Sequence, residues 1–255
     1  MNICIDVGNS TIGIGVFDNH ELVGKLILNT DVRLTEDEFH LLFKARFDAL
    51  HIDRSKIKHV IFSSVVPQVN LMIINAIKKL FNQEPMLIGP GTKTGLSIKV
   101  DNPLEIGNDL IADLVGAKEK YGAPLLIADL GTASKILLLD KDFIFCSALI
   151  MPGLTLSAES LSNKAALLPK VSLIAPASVM AKNTLQAMNA GIVYGHADMI
   201  LGLLKRYEKE LGYTCKHILT GGGAVYVKDI LKDDFIYDQN LNLEGLDIII
   251  QKNIK

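Results

Sequence analysis

The chain has 255 residues, 49% of them hydrophobic and 21% charged, with a formal net charge of −2; that is material for one large domain or two ordinary ones and excludes a disordered chain. Lysine and arginine are scattered rather than clustered, and no apolar stretch reaches membrane length or marks a secretory leader, which argues against nucleic acid or a membrane as partner. Cys4, Cys146 and Cys215 lie far apart, and the six histidines lack metal-ligand spacing, so neither a disulfide framework nor a zinc site is expected and a reducing cytoplasm is the natural home.

In chain order, Asn2 to Asp6, Ile12 to Phe17 and Leu22 to Leu28 alternate or run apolar between turn residues and predict three antiparallel strands. Thr35-Glu36-Asp37-Glu38 predicts a capped helix start, with Phe39, Leu42, Phe43 and Phe47 on its apolar face. A short buried strand is expected at Val60 to Ser63, a helix at Val69 to Phe81 and a strand at Met86 to Ile88. The order βββαβαβ followed by a helix is that of a ribonuclease-H-like half domain. Asn102-Pro103-Leu104-Glu105 reads as a capped helix start, but Gly107 interrupts the stripe of Ile106, Leu110 and Leu114, so the helix begins there or at Asn108. Asp109 and Asp113 share its flanking face, as a solvated acidic edge or as carboxylates near a cation.

The second half repeats the opening. Leu125 to Asp129, Ile136 to Asp140 and Phe143 to Leu149 predict another three-strand meander, and Leu154 to Leu167 predicts a helix stopped by Pro169. Asn183 caps a long helix thinned on one side by Gly191, Gly195 and Ala197, which suits close packing or self-association. Ile218-Leu219 leads into Thr220-Gly221-Gly222-Gly223, Val225 to Leu231 is expected to be helical, and Ile236-Tyr237 and Leu243 to Ile249 finish the chain. No linker separates the halves, which are expected as domains 1–116 and 117–255, each a mixed five-stranded sheet with flanking helices, with a nucleotide cleft between them.

Two stretches carry the chemistry: Ile5-Asp6-Val7-Gly8-Asn9-Ser10-Thr11 and Ala128-Asp129-Leu130-Gly131-Thr132-Ala133-Ser134. Each ends an apolar run with Asp, turns on Gly and small polar residues, and enters a second apolar run. Such a turn presents N–H groups and hydroxyls to an oxyanion, and the neighbouring carboxylate requires a cation before a phosphate. One copy alone is also a plain turn sequence; the repetition half a chain away points to a duplicated phosphate site. Gly221, Gly222 and Gly223 would let backbone pack flat against a purine or ribose.

With Gly107-Asn108-Asp109 added, together with Ser63-Ser64-Val65-Val66-Pro67, Thr94-Gly95-Leu96, Asp101-Asn102-Pro103 and Met151-Pro152-Gly153, the chain resembles the type III pantothenate kinases of the actin, Hsp70 and sugar-kinase superfamily. The resemblance implies a cytoplasmic homodimer that phosphorylates pantothenate with ATP, the first step towards coenzyme A. Carried over, Asp109 would be the base, Asp6 would hold Mg²⁺, and Asp129 would favour a monovalent cation (K⁺ or NH₄⁺). Gly8, Asn9, Ser10, Thr11, Gly131, Thr132 and Gly221 to Gly223 would line the nucleotide. Asn9, Val100, Gly107, Asn108, Asp109 and Leu110 would face the vitamin, and Thr184 would reach it from the partner subunit.

The sequence departs from the family pattern at particular places. Leu110 stands where the family has an Arg that grips the substrate carboxylate, Val100 where it has a Tyr, and Asp113 where it has an Asn. Ser134-Lys135-Ile136-Leu137 replaces Thr-Thr-x-Asp after the second hairpin. Three readings follow. They are a pantothenate kinase with altered contacts, a nucleotide-binding homologue acting as a regulatory or interaction protein, and a kinase for a hydroxylated substrate without a carboxylate. Lys135 is read either as a surface lysine or as the charge that position 110 lacks.

Overall fold

The computed structural model describes residues 1–254. Two compact units emerge. The first comprises Met1–Leu96, Asp101–Gly116 and the terminal stretch from Asn240; the second comprises Ser97–Val100 and Ala117–Gln239.

In the first unit β1 (Asn2–Val7), β2 (Thr11–Asp18) and β3 (Glu21–Asn29) form the expected meander. Then come α1 (Glu36–Asp48), β4 (His59–Ser64), α2 (Pro67–Phe81) and β5 (Met86–Leu87). The sheet runs β3-β2-β1-β4-β5, with β4 and β5 parallel to β1. Strand alternation divides β1 cleanly. Ile3, Ile5 and Val7 join the core formed with Phe39, Phe43 and Phe47 of α1 and Ile73, Ile77 and Phe81 of α2, while Asn2, Cys4 and Asp6 point to the opposite face. The rings of Phe47 and Phe81 meet edge-on at 4.9 Å, a geometry that favours aromatic pairs beyond their buried area.

After β5 the short strand β6 (Ser97–Ile98) leaves for the second unit, and α3 (Asn108–Tyr121) returns to the first as far as Gly116. The chain before α3 resolves the two expected helix starts into one element each. Asn102 caps a 3-10 turn over Pro103–Glu105, and the α-helix begins at Asn108.

The second unit repeats the connectivity with β7 (Leu125–Leu130), β8 (Ala133–Leu139) and β9 (Ile144–Pro152), then α4 (Leu154–Lys164), α5 (Thr184–Leu211), β10 (Lys216–Thr220) and β11 (Ile236–Tyr237). Its sheet reads β11-β10-β7-β8-β9-β6. Without β6 this is the order of the first sheet, and even the register shift late in the second strand recurs, at Val16/Phe17 and at Leu138/Leu139. Leu126, Ala128 and Leu130 of β7 face a core with Val193, Ala197 and Ile200 of α5, leaving Ile127 and Asp129 on the other face. The fold is therefore the expected α/β pair of ribonuclease-H-like halves.

Three details differ from expectation. The second sheet has six strands rather than five, because β6 pairs with β9, an edge whose outward N–H and C=O groups would otherwise lack partners. The terminal helix α6 (Leu241–Asn253) belongs to the first unit rather than to 117–255. It is tied there by Asp247, whose carboxylate accepts from Asn2 Nδ2 at 2.9 Å and meets His20 Nδ1 at 2.8 Å. Burial, reinforced by the Asp247 charge, pushes the nearby Cys4 thiol well above its usual range, so it stays protonated. Finally, the segment expected as a helix over Val225 to Leu231 is a 3-10 turn over Gly222–Tyr226 followed by turns.

The capping box at α1 is formed from both sides: the Glu38 N–H donates to Thr35 Oγ1 at 3.3 Å and the Thr35 N–H to Glu38 Oε2 at 2.9 Å. Replacing Thr35 with Ala should lower unfolding stability by about 1 kcal/mol, and replacing it with Ser should leave it nearly unchanged, as read by urea denaturation.

Candidate active site

The first hairpin closes on a tight turn in which the Gly8 N–H donates to Thr11 O at 3.0 Å. Thr30, at the end of the meander, braces the loop twice. Its N–H donates to Ser10 O at 3.0 Å and its hydroxyl to Gly8 O at 2.7 Å. With the backbone held from behind, Asn9, Ser10 and Thr11 are exposed. Asp6 precedes this loop on the face away from the helix core. Beside it on β4, in parallel register, stands Ser63, whose hydroxyl donates to Asp6 Oδ1 at 2.9 Å. Across β2 the directly opposed residue is Gly13, which presents no side chain.

Asp109 lies in the first turn of α3. Gly107 O accepts from the N–H groups of Leu110 at 3.1 Å and Ile111 at 3.3 Å, which starts the helix. The Asn108 side chain donates to Ile88 O at 3.1 Å, and Asn242 Nδ2 of α6 donates to Asp109 O at 3.0 Å. Two amides thus pin the backbone that carries Asp109, while its carboxylate folds over Gly107, where a Cβ would collide with Asp109 Oδ1. Asp109 is partly exposed, whereas Asp113 is only 2% exposed, so the pair is not a solvated acidic edge. Leu110 is buried at 8% exposure; its side chain joins the packed apolar residues of α3 and offers an anion no charge.

The second hairpin is tighter by one residue and has a different electrostatic setting. The Gly131 N–H donates to Ala133 O at 3.2 Å, and the Gly153 N–H, at the start of α4, donates to Thr132 O at 3.0 Å. Thr132 is exposed. Asp129 is directly opposed on β8 by Lys135, and the Lys135 ammonium lies 2.9 Å from Asp129 Oδ2, the two side chains being 18% (Lys) and 12% (Asp) exposed. Lys135 is thus not a surface lysine. Ser134 points the other way, into the core, where its hydroxyl meets His196 Nε2 at 2.8 Å. Burial lowers the His196 pKa and keeps the ring neutral, so this pair is a satisfied core contact.

Gly221 follows β10 with φ of +88°, and a Cβ there would sit 2.5 Å from Asp129 Oδ1 and 2.6 Å from the Leu130 amide nitrogen. Only glycine permits that approach. Gly222 is exposed and Gly223 half-buried in the 3-10 turn that follows. Val100, just beyond β6, is half-buried. Thr184 is exposed at the first position of α5, whose cap is Asn183, accepting from the Gln186 N–H at 2.9 Å. A cavity of about 600 Å³ lies beside it, lined by Leu185, Gln186, Asn189 and the coil from Lys170 to Ala181.

Within the first unit, then, Asp6, Gly8, Asn9, Ser10 and Thr11 belong to one hairpin and Gly107 to Leu110 to the start of one helix. Within the second, Asp129, Gly131, Thr132 and Gly221 to Gly223 cluster at the ends of β7 and β10. The sequence assigns no site role to Ser63, Thr30 or Asn242, because each reaches the site from another strand or helix; Ser63 stands out there only as part of the motif Ser63-Ser64-Val65-Val66-Pro67.

Among the described residues no group of three or more His, Cys, Asp or Glu side chains could cage a metal, and no helix is long and apolar enough to cross a membrane. The model of the family "Type III pantothenate kinase" matches residues 2–206. A type III pantothenate kinase of Brevibacillus brevis is 39% identical over 253 residues, spanning 99% of both chains, and one of Exiguobacterium sp. is 38% identical over 255 residues, spanning all of both. Among solved structures, component A of the Acidaminococcus fermentans (R)-2-hydroxyglutaryl-CoA dehydratase matches with a TM-score of 0.55 at 13% identity, covering 99% of each chain. The archaeal actin homolog Ta0583 matches at 0.52 and 12% identity, again over 99% of each chain. These two likenesses concern the fold alone. The sequence similarity runs the length of the chain: the protein belongs to the type III pantothenate kinase family.

Proposed function

We infer that this chain transfers the γ-phosphoryl group of ATP to the primary hydroxyl of pantothenate. The observation that carries the reading is the acid-bearing hairpin of the first unit followed by a helix whose first turn holds Asp109 at a backbone pinned by two amides, in a chain similar to named pantothenate kinases over its full length. Phosphoryl transfer calls for positioning and charge neutralisation more than for covalent chemistry. Asp109 accepts the hydroxyl proton as the oxygen attacks phosphorus and ADP departs with the bridging oxygen. Asn9, Ser10 and Thr11, with the hairpin amides, receive phosphate oxygens, and Thr132 and Gly221 to Gly223 contact the nucleotide.

Asp6 suits a divalent cation. A magnesium ion keeps several waters and takes one or two carboxylates plus substrate phosphates, so one oriented carboxylate opposite a glycine is an adequate donor set. Bound there, Mg²⁺ supplies neutralisation of the polyphosphate charge. Ser63 fixes the carboxylate rotamer.

The vitamin side is read from Val100, Gly107, Asn108, Asp109 and Leu110, with Thr184 contributed by a second copy in a cytoplasmic homodimer. The buried Leu110 cannot pair with the pantothenate carboxylate, which is expected to weaken substrate binding relative to a site with a bidentate Arg by roughly a hundredfold. The reading as a regulatory homologue without turnover is disfavoured by full-length similarity to relatives named as kinases.

Purified protein given ATP, Mg²⁺ and pantothenate should release ADP in a coupled assay; absence of turnover even at saturating pantothenate would contradict the assignment. Asp109→Asn should lower kcat by about 10²- to 10⁴-fold while leaving ATP binding intact. Ser63→Ala should weaken Mn²⁺ binding in the presence of ADP by roughly ten- to a hundredfold, read by paramagnetic relaxation of water, with little change in the affinity for pantothenate.

A further inference from the structure

The second hairpin turns on one residue fewer than the first, which changes the residue set opposite its acid. Glycine faces Asp6 across the first, and lysine faces Asp129 across the second. Because β7 and β8 pair in strict register from Leu125↔Leu139 to Leu130↔Ser134, Lys135 and Asp129 must project from the same face of the sheet. Ile127 and Leu137, both fully buried, are the next opposed pair on that face and keep water from one side of the ion pair. The ammonium bonds Asp129 Oδ2, while Oδ1 lies against the Gly221 backbone. A free cation at Asp129 would need the oxygen that Lys135 already holds, so the donor set does not fit one.

We propose that Lys135 is a covalently tethered cation that takes the place of a free monovalent cation at the second hairpin, so that this chain works without added K⁺ or NH₄⁺. The inference rests on the kinase reading. Lysine supplies the charge of an ammonium ion on a tether anchored directly across the strand pair. Its effective concentration at Asp129 is therefore in the range of millimolar or more irrespective of the medium. Removing the tether leaves a largely buried carboxylate without this partner, a situation costly enough to recruit a cation from solution.

The test compares the full-length protein with Lys135→Ala, each with ATP, Mg²⁺ and pantothenate at constant ionic strength, in tetramethylammonium chloride or in KCl. A second arm records melting temperature in the same two salts with ADP and Mg²⁺. For the unmodified protein the rate should be the same in both salts, with no K⁺-specific shift in melting. For Lys135→Ala, KCl should raise the rate by about fivefold or more or raise the melting temperature specifically. Activation of the unmodified protein by KCl, a K⁺-specific rise in its melting temperature, or a variant indifferent to KCl in both arms would overturn the proposal. If Lys135→Ala does not fold, Lys135→Met keeps the alkyl length without the charge and is measured instead. Failure of all turnover in KCl would count against the kinase reading, and the melting arm would still decide whether Lys135 holds the cation position.

Discussion

The structure depends on where a carboxylate can go at the end of a buried strand. In β1 and β7 every second residue feeds a helix-covered core, so the acid on the alternate register must lie on the opposite face, beside the turn that follows. Burying it unpaired would be prohibitive, and exposing it beside a phosphate would repel the ligand. Each hairpin therefore has to supply, or leave room for, positive charge. That requirement links the sequence motif to the chemistry more directly than the glycine turn does.

The halves meet it in different ways. In the first unit Ser63 orients Asp6, Gly13 leaves the opposed position empty of side chain, and Thr30 fixes the loop from behind. In the second, Lys135 closes on Asp129 and Gly221 backs the remaining oxygen. Duplication preserved the strand order and the late register shift of the meander while the opposed residue diverged. A divalent cation held with a phosphate needs an open coordination sphere, whereas a fixed counter-charge does not. A loop one residue shorter and the lysine it brings opposite the acid, where the first hairpin has glycine, separate the two tasks.

Much of this was legible in the sequence where the signal is local. The meanders follow from alternation and Gly-containing turns, and the start of α1 from a capping box whose members are three residues apart. What escaped is what joins distant positions. Asp247 secures α6 to the first unit by bonding Asn2, at the other end of the chain. Strand β6 has two residues, too few to show a period, and exists because β9 offers an edge. The partner of Asp129 follows from the pairing register of β7 and β8, which is set by a turn one residue shorter than that of the first hairpin. Matched position by position to the first hairpin, Lys135 falls on Ile12 and its place opposite the acid is hidden. Leu110 could be placed on a helix stripe, but its burial depends on what packs over α3.

The central claim is that the two hairpin acids serve different cations, one recruited and one built in. Anomalous scattering from crystals grown with ADP, Mn²⁺ and Tl⁺ reads this directly. The account predicts a manganese peak beside Asp6 and, at Asp129, the Lys135 ammonium with no thallium peak; thallium bound to Asp129 with Lys135 turned away would contradict it.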